Sequence, residues 1–264
     1  MAETGSLSAM PTMRIAGSPV LWLRVLIIVV VLAIWEAVAA SGLLYRDVVP
    51  SLVAIARATV NLLSNPEYYW NLGVTAGEVG TSLIIGGLSG LVVGLVLGGS
   101  RLLTKAYEPY LYYLGPTPKI IFFPIMIMWF GVGTGSKIAM GAISCFFPIA
   151  LSAAAGMRQI EPILIRVGRS FRANAWQMAT KIYLPAMRHP IINGVRLGLG
   201  VAIIGTLLAE TKLSNSGIGF LIIQAYSLFD MPRMYAMLIV VFVLAISANA
   251  LIGWIGHLDR VKAR

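Results

Sequence analysis

Long runs of hydrophobic residues, separated by shorter polar segments, make up most of the chain from residue 20 onward. The second run has 22 consecutive uncharged residues, 79–100, which would form about 33 Å of helix, enough to cross the hydrocarbon core of a bilayer. Runs of this length predict an all-α polytopic membrane protein with six transmembrane helices. The predicted spans cover residues 20–40, 78–100, 107–131, 138–157, 190–210 and 234–256.

The polar segments predict how the rest of the chain is arranged. Residues 1–19 are small and polar and predict a cytoplasmic N-terminal arm, and residues 20–264 form one transmembrane domain. Residues 50–65 and 213–229 are too short or too polar to be spans, so we expect external helices there. Residues 158–189, here called the basic loop, predict a cytoplasmic connection between the fourth and fifth spans.

Glycine recurs at every fourth position of the second run, at Gly86, Gly90, Gly94 and Gly98. These four residues, here called the glycine stripe, share one helix face, where the absence of side chains lets another helix approach closely in lipid. The stripe therefore predicts a packing face. Lining of a channel is the alternative role.

The third run is interrupted by Gly115, Pro116 and Pro118, which would break a continuous helix. Interrupted helices near the middle of a membrane often mark transport sites, so Lys119 could be a cation facing a pathway. The alternative is a span that begins only at Pro118. The 17 uncharged residues 120–136 would then suffice to cross the membrane, and Lys119 would reach the cytoplasmic surface with its long side chain.

The fifth run contains Arg196 and ends near Glu210. A charge near the bilayer centre costs about 2.5 to 3.5 kcal/mol on insertion scales, so Arg196 needs a partner or a route to the interface. It lies roughly two helical turns from the basic loop, which allows either. A structural or gating role and contact with a passing solute both remain open.

The basic loop is helix-prone and has both charged and apolar positions. Asn174 followed by Gln177 three residues later fits a capping box and predicts that a short helix begins there. Leu184 followed by Pro185 should end this helix, because the residue before proline is disfavoured in the α region. We expect a helix, a turn and a second helix lying across the end of the bundle. Prominent side chains of the loop are Arg166, Arg169, Arg172, Trp176, Lys181 and Arg188.

This loop resembles the cytoplasmic "EAA" loop of the permease subunits of bacterial ATP-binding-cassette (ABC) importers. In that pattern a Glu-Ala-Ala triplet is followed by a turn glycine and later by a Leu-Pro pair. This chain departs from it, with Arg166 at the glutamate position, Gly168 at the second alanine and Arg172 at the turn glycine. If the turn needs a positive φ, arginine there is strained. The alignable residues are Arg166, Val167, Gly168, Arg169, Ala173, Trp176, Gln177, Leu184 and Pro185.

The resemblance extends, by order and spacing of segments, from about residue 70 to the C-terminus. The sequence NGVRLGLGVAIIGTLLAE is similar to the fifth span of the nitrate, sulfonate, taurine and bicarbonate branch, and Trp129 with Phe130 is similar to its outer "WFG" turn. The resemblance implies a MetI-like type I importer permease whose basic loop couples to an ATPase. Within the loop we expect Trp176 to be the docking anchor, because buried aromatic residues dominate interface energies. The residues that could line the translocation pathway are Lys119, Trp129, Arg196 and Glu210.

Composition and charge support a membrane protein. Hydrophobic residues make up 58% of the chain and charged residues 11%, which is not the composition of a soluble domain. The net charge of +10 does not indicate nucleic-acid binding, because the basic residues cluster at the ends of hydrophobic runs. Thirteen Lys and Arg residues fall on the predicted cytoplasmic side and five outside, which predicts that both termini are cytoplasmic.

The chain carries little chemistry of its own. It has one cysteine, Cys145, and two widely separated histidines, His189 and His257, which predict neither a disulfide nor a metal site. The glycine-rich GVGTGSK sequence does not fit a nucleotide-binding P-loop. We therefore expect no enzyme activity and no cofactor, with ATP bound by partner subunits.

The expected function is that of a permease subunit in an ATP-driven importer of a small anionic solute (nitrate-, sulfonate-, taurine- or bicarbonate-like, or an aromatic carboxylate) in the bacterial inner membrane. Six spans are few for an alternating-access pathway, so we expect a homodimer. The other expected partners are two cytoplasmic ABC ATPases, an external solute-binding protein and membrane lipid. The alternatives are an ATP-independent channel or carrier for a small anion, and a membrane enzyme or scaffold.

Overall fold

A computed structural model describes residues 19–42 and 48–262, and every regular element within these two ranges is helical. The predicted all-α fold class is therefore confirmed. The predicted arm up to residue 18, with Arg14, and the basic residues Arg46 and Arg264 lie outside the described residues. In chain order the α-helices are α1 (Pro19–Ser41), α2 (Leu52–Leu63), α3 (Pro66–Gly99), α4 (Arg101–Leu114), α5 (Phe123–Phe130), α6 (Thr134–Arg158), α7 (Pro162–Ser170), α8 (Ala175–Met178), α9 (Leu184–Ala186), α10 (Arg188–Lys212), α11 (Ile218–Ser227) and α12 (Met231–Lys262).

The chain divides into two units, residues 1–54 and 55–264. In the first unit, Trp35 Nε1 donates a hydrogen bond to the Pro50 carbonyl oxygen at 3.0 Å. The backbone N–H of Leu52 donates to Glu36 Oε2 at 2.9 Å. Glu36 thus accepts from the first N–H of α2, where the helix dipole stabilises a carboxylate.

The centre of the second unit is α6, which packs against α3 and α10. The glycine stripe of α3 faces α6 without intervening side chains. A Cβ added at Gly90 would lie 2.7 Å from the Phe146 carbonyl oxygen, and one at Gly98 would lie 2.6 Å from Met157 Cβ. The stripe is therefore confirmed as a packing face, and it does not line a channel.

The contact between α10 and α6 is built in the same way. A Cβ at Gly198 would lie 2.7 Å from Ile149 Cδ1, and one at Gly205 would lie 2.6 Å from Ser144 Oγ. Small residues at both contacts let three backbones approach closely, which is how helices associate where lipid removes the hydrophobic driving force. This packing makes α3, α6 and α10 one tightly packed group.

Five of the described helices, α1, α3, α6, α10 and α12, are long and apolar enough to cross a membrane. The third predicted span is not one helix: α4 and the segment Lys119–Phe130 meet at 90° where Gly115, Pro116 and Pro118 were expected to break the helix. A 3₁₀ turn, Lys119–Phe122, leads into α5. The six predicted spans agree with these five helices plus the bent pair counted as one.

Several helices extend beyond the predicted spans. The second span was predicted to start at residue 78, but α3 starts at Pro66, where the Asn65 side chain accepts a hydrogen bond from the Glu67 N–H at 2.9 Å. Proline at the first helical position and an asparagine cap together favour this early start. The short helices α2 and α11, with 12 and 10 residues, confirm that these segments are helices but not spans.

Candidate functional site

The basic loop begins with α7. The turn after α7 explains why the EAA pattern has glycine at the position that Arg172 occupies here. Arg172, directly after the helix cap, has φ +52°. The N–H of Ala173 donates to the Gly168 carbonyl at 3.0 Å, and that of Arg172 donates to the Arg169 carbonyl at 2.9 Å. These two bonds are those of a Schellman motif, whose left-handed residue is most often glycine. The expectation that arginine is strained at this position is confirmed, because a Cβ disfavours this conformation.

Gly168 replaces the family's second alanine because its neighbours leave no room. A Cβ there would lie 2.6 Å from Met178 Sδ and would also clash with Ile182 Cδ1. Met178 is buried, and α7 therefore packs against the apolar side of the segment that follows the turn. The larger side chains across the contact fill the space that an alanine methyl would occupy.

The predicted capping box is confirmed at the start of α8. The Gln177 N–H donates to Asn174 Oδ1 at 2.8 Å, and the Asn174 N–H donates to Gln177 Oε1 at 3.0 Å. Each side chain satisfies a backbone donor of the other residue, which fixes where the helix starts.

The prediction that Leu184 and Pro185 end this helix is wrong. A π turn, Ala179–Tyr183, follows α8, and Leu184 remains helical with φ −59° and ψ −45°. The Leu184 N–H donates to the Ala179 carbonyl, so the hydrogen bonds shift by one residue just before the proline. Such a π turn lets a helix accommodate an interruption without ending. The chain leaves the helical region only at Met187, with φ −95° and ψ 4°.

The side chains predicted to couple to an ATPase lie mostly on the loop surface. Trp176 is 75% exposed and Phe171 83% exposed, although both are large and aromatic. Exposed aromatic groups beside charges mark surfaces that proteins use for interaction. The predicted residues Arg166, Arg169, Arg172, Gln177 and Pro185 are exposed, and Ala173 and Leu184 are half-buried.

An ion pair holds the start of the basic loop. Arg158, the last residue of α6, has its Nη1 2.7 Å from Glu108 Oε2 of α4. The pair joins the bent helix pair to the helix that leads into the loop, so movement of the loop and of α4 should be coupled.

Lys119 lies at the break between α4 and α5, beside an open cavity of about 380 Å³. Its ammonium group donates to the Gly115 carbonyl, and a second acceptor, the Thr117 carbonyl, lies at 3.4 Å. The ammonium also lies 5.0 Å from the centre of the Phe147 ring. The far wall of the cavity is apolar and belongs to α10, with Val201, Ile204 and Leu208.

The other predicted pathway residues do not gather around Lys119. Trp129 is 71% exposed at the end of α5. Arg196 Nε donates to Asn249 Oδ1 of α12 at 2.7 Å, and a Cβ added at Gly253 would lie 3.4 Å from its Cζ atom. Arg196 was expected either to have a structural or gating role or to contact a passing solute. The structure shows a structural contact with α12.

Glu210 is 1% exposed, so it lies inside the protein and not on its surface. Its Oε1 accepts from Thr75 Oγ1 at 2.7 Å, and its Oε2 accepts from the Gly219 N–H at 2.6 Å. It belongs to a buried group at the end of the bundle opposite the basic loop, here called the buried polar cluster. Its members are Asn71, Thr75, Glu78, Ser82, Lys137, Thr206 and Glu210.

This cluster holds the start of α11. The N–H of Gly217 donates to Asn71 Oδ1 at 2.7 Å, and that of Ile218 donates to Thr75 Oγ1 at 2.8 Å. With the Gly219 N–H on Glu210, three successive backbone donors at the positive end of the helix are satisfied. Gly217 has φ +100°, and a Cβ there would lie 2.5 Å from Glu210 Oε1, so only glycine fits.

Sequence reasoning missed Glu78 and Lys137, which are 3% and 2% exposed. It placed both at the ends of spans, where charges reach water. A signal was present in the sequence: Asn71, Thr75, Glu78 and Ser82 recur at helical spacing on an otherwise apolar helix. Such a polar face must meet polar groups of other helices when it is buried.

The described residues contain no group of three or more His, Cys, Asp or Glu side chains that could hold a metal ion. The two carboxyl groups and one amine of the buried polar cluster lie away from the Lys119 cavity, which Glu78, Lys137 and Glu210 do not line. The arrangement is thus one of helix packing, a buried polar anchor and an exposed loop.

Residues 88–258 match the family model described as "binding-protein-dependent transport system inner membrane component". The chain belongs to this family. A Bacillus subtilis (strain 168) protein whose name refers to the transport of aliphatic sulfonates is 29% identical over 220 residues, 83% of this chain and 80% of its own length. The taurine transport system permease protein of Escherichia coli (strain K12) is 28% identical over 202 residues, 74% and 73% of the two chains. The nitrate import permease protein of Synechococcus elongatus is 25% identical over 240 residues, 86% and 85%.

Membership of the binding-protein-dependent family confirms the resemblance to MetI-like ABC importer permeases. The protein is a multi-pass membrane permease. The prediction that it is not itself an enzyme is also confirmed, because its relatives are named as transport permeases, the non-catalytic component of such systems.

Proposed function

We propose that this chain is the permease subunit of an ATP-driven importer that moves a small anion, organic or inorganic, across the bacterial inner membrane. The observation that carries this proposal is the exposed aromatic and basic surface of the basic loop in a binding-protein-dependent permease. A membrane protein of this family without catalytic residues needs an external source of energy, and an exposed docking surface is the means of receiving it.

Two cytoplasmic ABC ATPases would each hold one basic loop, and ATP would bind to those subunits. Trp176 and Phe171 provide the apolar contacts, and Arg166, Arg169 and Arg172 surround them with positive charge. Closure of the ATPase pair would move the loops, and the ion pair between Arg158 and Glu108 would pass this movement to the bent helix pair.

The Lys119 cavity supports the part of the proposal that says the solute is an anion. It offers one ammonium group at a break between helices, where backbone groups are free of the regular helical bonds. The relatives' names refer to aliphatic sulfonates, taurine and nitrate, all of which carry a negatively charged group. We place Lys119 on the pathway for this reason.

A second copy of the chain would complete the pathway. The α10 residues Leu197, Val201, Ile204 and Leu208 form an apolar stripe that is 36% to 62% exposed and borders the Lys119 cavity. Two such stripes facing each other across a two-fold axis would enclose a passage between identical surfaces. The outward-facing apolar residues of α3, such as Leu88 and Val92, would then contact lipid.

Both termini and the basic loop would lie in the cytoplasm. The excess of Lys and Arg on that side supports this orientation. The end of the bundle that carries α11 and the buried polar cluster would then face outward, where a solute-binding protein would deliver its cargo.

Reconstitution tests the proposal. The chain is co-expressed with an ABC ATPase and a solute-binding protein from the same organism, and the complex is purified and placed in lipid vesicles. We expect a complex of two copies of each membrane and ATPase subunit, and uptake of labelled taurine, an alkanesulfonate, nitrate or benzoate that requires ATP and the binding protein.

Two results would contradict the proposal. Uptake that continues without ATP would instead indicate an anion channel or carrier. Failure of the chain to bind any ABC ATPase, with the fold intact, would remove the coupling role of the basic loop.

A further inference from the structure

The turn between α11 and α12 carries a large apolar residue in a backbone conformation that suits glycine. Phe229, which follows the α11 cap Leu228, has φ +59°. Its N–H donates to the Tyr226 carbonyl at 3.1 Å, and the N–H of Asp230 donates to the Ala225 carbonyl at 2.9 Å. These are the two bonds of a Schellman motif, whose left-handed residue is most often glycine. A bulky side chain at this position strains the backbone.

Burial of the side chain does not compensate for this strain. Phe229 is 63% exposed and Leu228 is 71% exposed, so most of both side chains lies outside the core. Glycine would close the same turn without strain. Strained residues cluster at sites that bind or switch, and exposed apolar side chains mark contacts with other molecules. Arg172, the other described non-glycine residue with a positive φ, also lies on a surface proposed for docking.

A polar cleft of about 230 Å³ lies beside these two residues. Asp230 Oδ1 accepts from the backbone N–H of Arg233 at 3.2 Å, and Asn65 caps α3, so both acceptors stabilise helix starts. The half-buried Arg233 side chain brings a guanidinium group to the cleft, where it can donate to an acidic side chain. The cleft is lined by Ala58, Asn61, Leu62, Asn65, Asp230 and Arg233.

Leu228, Phe229 and this cleft, here called the α11 patch, have the composition of a protein interface. Such interfaces combine an aromatic or apolar centre with a polar rim that keeps its water. A lipid contact fits less well, because tryptophan and tyrosine are the usual aromatic anchors at a membrane surface. Acyl chains would also remove water from the charged groups of Asp230 and Arg233, which is costly.

The position of the patch indicates which protein binds there. The basic loop leads into α10, and α11 follows the far end of α10, so the patch and the loop lie at opposite ends of the bundle. In the proposed orientation this end faces outward. The family is described as binding-protein-dependent, and the binding protein approaches from that side.

We propose that the α11 patch is the surface on which the external solute-binding protein docks. The Phe229 ring enters an apolar pocket of that protein, and Arg233 pairs with one of its acidic side chains. This inference rests on the proposed function and its orientation, and it adds the residues that receive the partner.

Phe229→Gly separates docking from folding. Glycine removes the backbone strain, so the thermal midpoint of this variant should be at least that of the native chain. The complex with its ATPase is placed in lipid nanodiscs without nucleotide and titrated with the solute-binding protein used for the uptake assay. We expect Kd to rise at least about tenfold in Phe229→Gly. Phe242→Ala removes a ring of similar exposure, 65%, from the apolar part of α12, and this control should bind like the native complex.

Arg233→Gln tests the polar half of the patch. We expect weaker binding and a smaller decrease of affinity with added salt, because one charge pair across the interface is lost. Lys212→Gln removes the same charge from the end of α10 and does not line the cleft, so it is the matched control. Equal effects of the two variants would overturn the role of Arg233.

Photo-crosslinking identifies the molecule that contacts Phe229. In a Cys145→Ala background, Phe229→Cys is labelled with a benzophenone and illuminated in the same nanodiscs with the solute-binding protein. A crosslink to that protein supports the proposal, and a crosslink only to lipid or to a second copy of the chain overturns it.

Failure of this inference differs from failure of the proposed function. If Phe229→Gly binds the solute-binding protein and supports uptake like the native complex, the docking surface is wrong and the transport function stands. If binding depends on Phe229 but uptake does not need ATP, the docking surface stands and the ATP-driven importer is wrong.

Discussion

At the scale of single residues, a few side chains decide how helices begin and end. Glu210 caps α11 from another helix, and Arg172 closes α7 in a conformation that suits glycine. Glu210 stabilises the fold through buried hydrogen bonds, and Arg172 carries backbone strain. Both effects are measurable by substitution.

Replacement of Glu210 by alanine should destabilise the chain. The Thr75 hydroxyl and the Gly219 N–H would lose their acceptor inside the protein, and each unsatisfied buried donor costs about 1 to 3 kcal/mol. Thermal unfolding of the detergent-purified protein should show a clearly lower midpoint for Glu210→Ala, and a smaller decrease for Glu210→Gln, which keeps one acceptor. Glu67→Ala, at an exposed position, is the control, and an equal effect at both sites would contradict the assignment.

Replacement of Arg172 by glycine should stabilise the basic loop by about 1 kcal/mol. Glycine adopts the observed φ of +52° without the penalty that a Cβ causes. The measurement is the rate of proteolysis within the loop, which should fall. Arg169→Gly, inside α7, should have the opposite effect because glycine weakens helices by about 1 kcal/mol. Faster cleavage of Arg172→Gly than of the native chain would show that the arginine side chain makes a stabilising contact.

At the scale of helices, close backbone contact holds the bundle together. The glycine stripe of α3 lies directly against α6, and glycines of α10 make similar contacts from another side. Regular α-helical geometry is interrupted at two places, the break between α4 and α5 and the π turn in the basic loop. Both lie where the proposed function needs movement.

Gly90→Ala should loosen the contact between α3 and α6. The new methyl group would lie 2.7 Å from the backbone oxygen of Phe146, which cannot move away alone. Overpacking of this kind costs about 1 to 3 kcal/mol. Gly77→Ala, on the same helix but with no atom within 4 Å of the added Cβ, is the matched control. Thermal midpoints should fall for Gly90→Ala only, and equal midpoints would mean that the helices separate easily.

At the scale of the whole molecule, the basic loop and the buried polar cluster lie at opposite ends of one bundle. The loop is exposed and suited to docking, and the cluster is closed and fixes α11. The Lys119 cavity lies at the helix break near α10. Movement that starts at the loop can therefore reach the cavity through α4, while the glycine contacts keep α3, α6 and α10 together.

Trp176→Ala should uncouple the assembled transporter. Trp176 is 75% exposed, so its removal should leave the thermal midpoint of the isolated chain nearly unchanged. In reconstituted complexes, we expect solute-stimulated ATP hydrolysis and uptake to fall at least about tenfold, which corresponds to about 1.4 kcal/mol of lost docking energy. Trp70→Ala, another exposed tryptophan far from the loop in sequence, is the control. Unchanged stimulated hydrolysis in Trp176→Ala would exclude Trp176 as the docking anchor.

The sequence by itself determined the membrane class, the long apolar helices, the glycine packing face and the helix start at Ala175. These features depend on length, local spacing and neighbouring residues, which the chain order contains. The resemblance of the basic loop identified the family, and it also located the one turn where Arg172 is strained.

Only the tertiary structure decided which charges are buried together. Glu78, Lys137 and Glu210 are far apart in sequence and lie at the ends of three runs, where each alone could reach water. Packing of α3, α6 and α10 brings them together and closes the cluster, and α11 folds back to supply the donors. The hydrogen bonds of a buried group depend on neighbours from other helices, and these neighbours are set by the packing of the whole bundle.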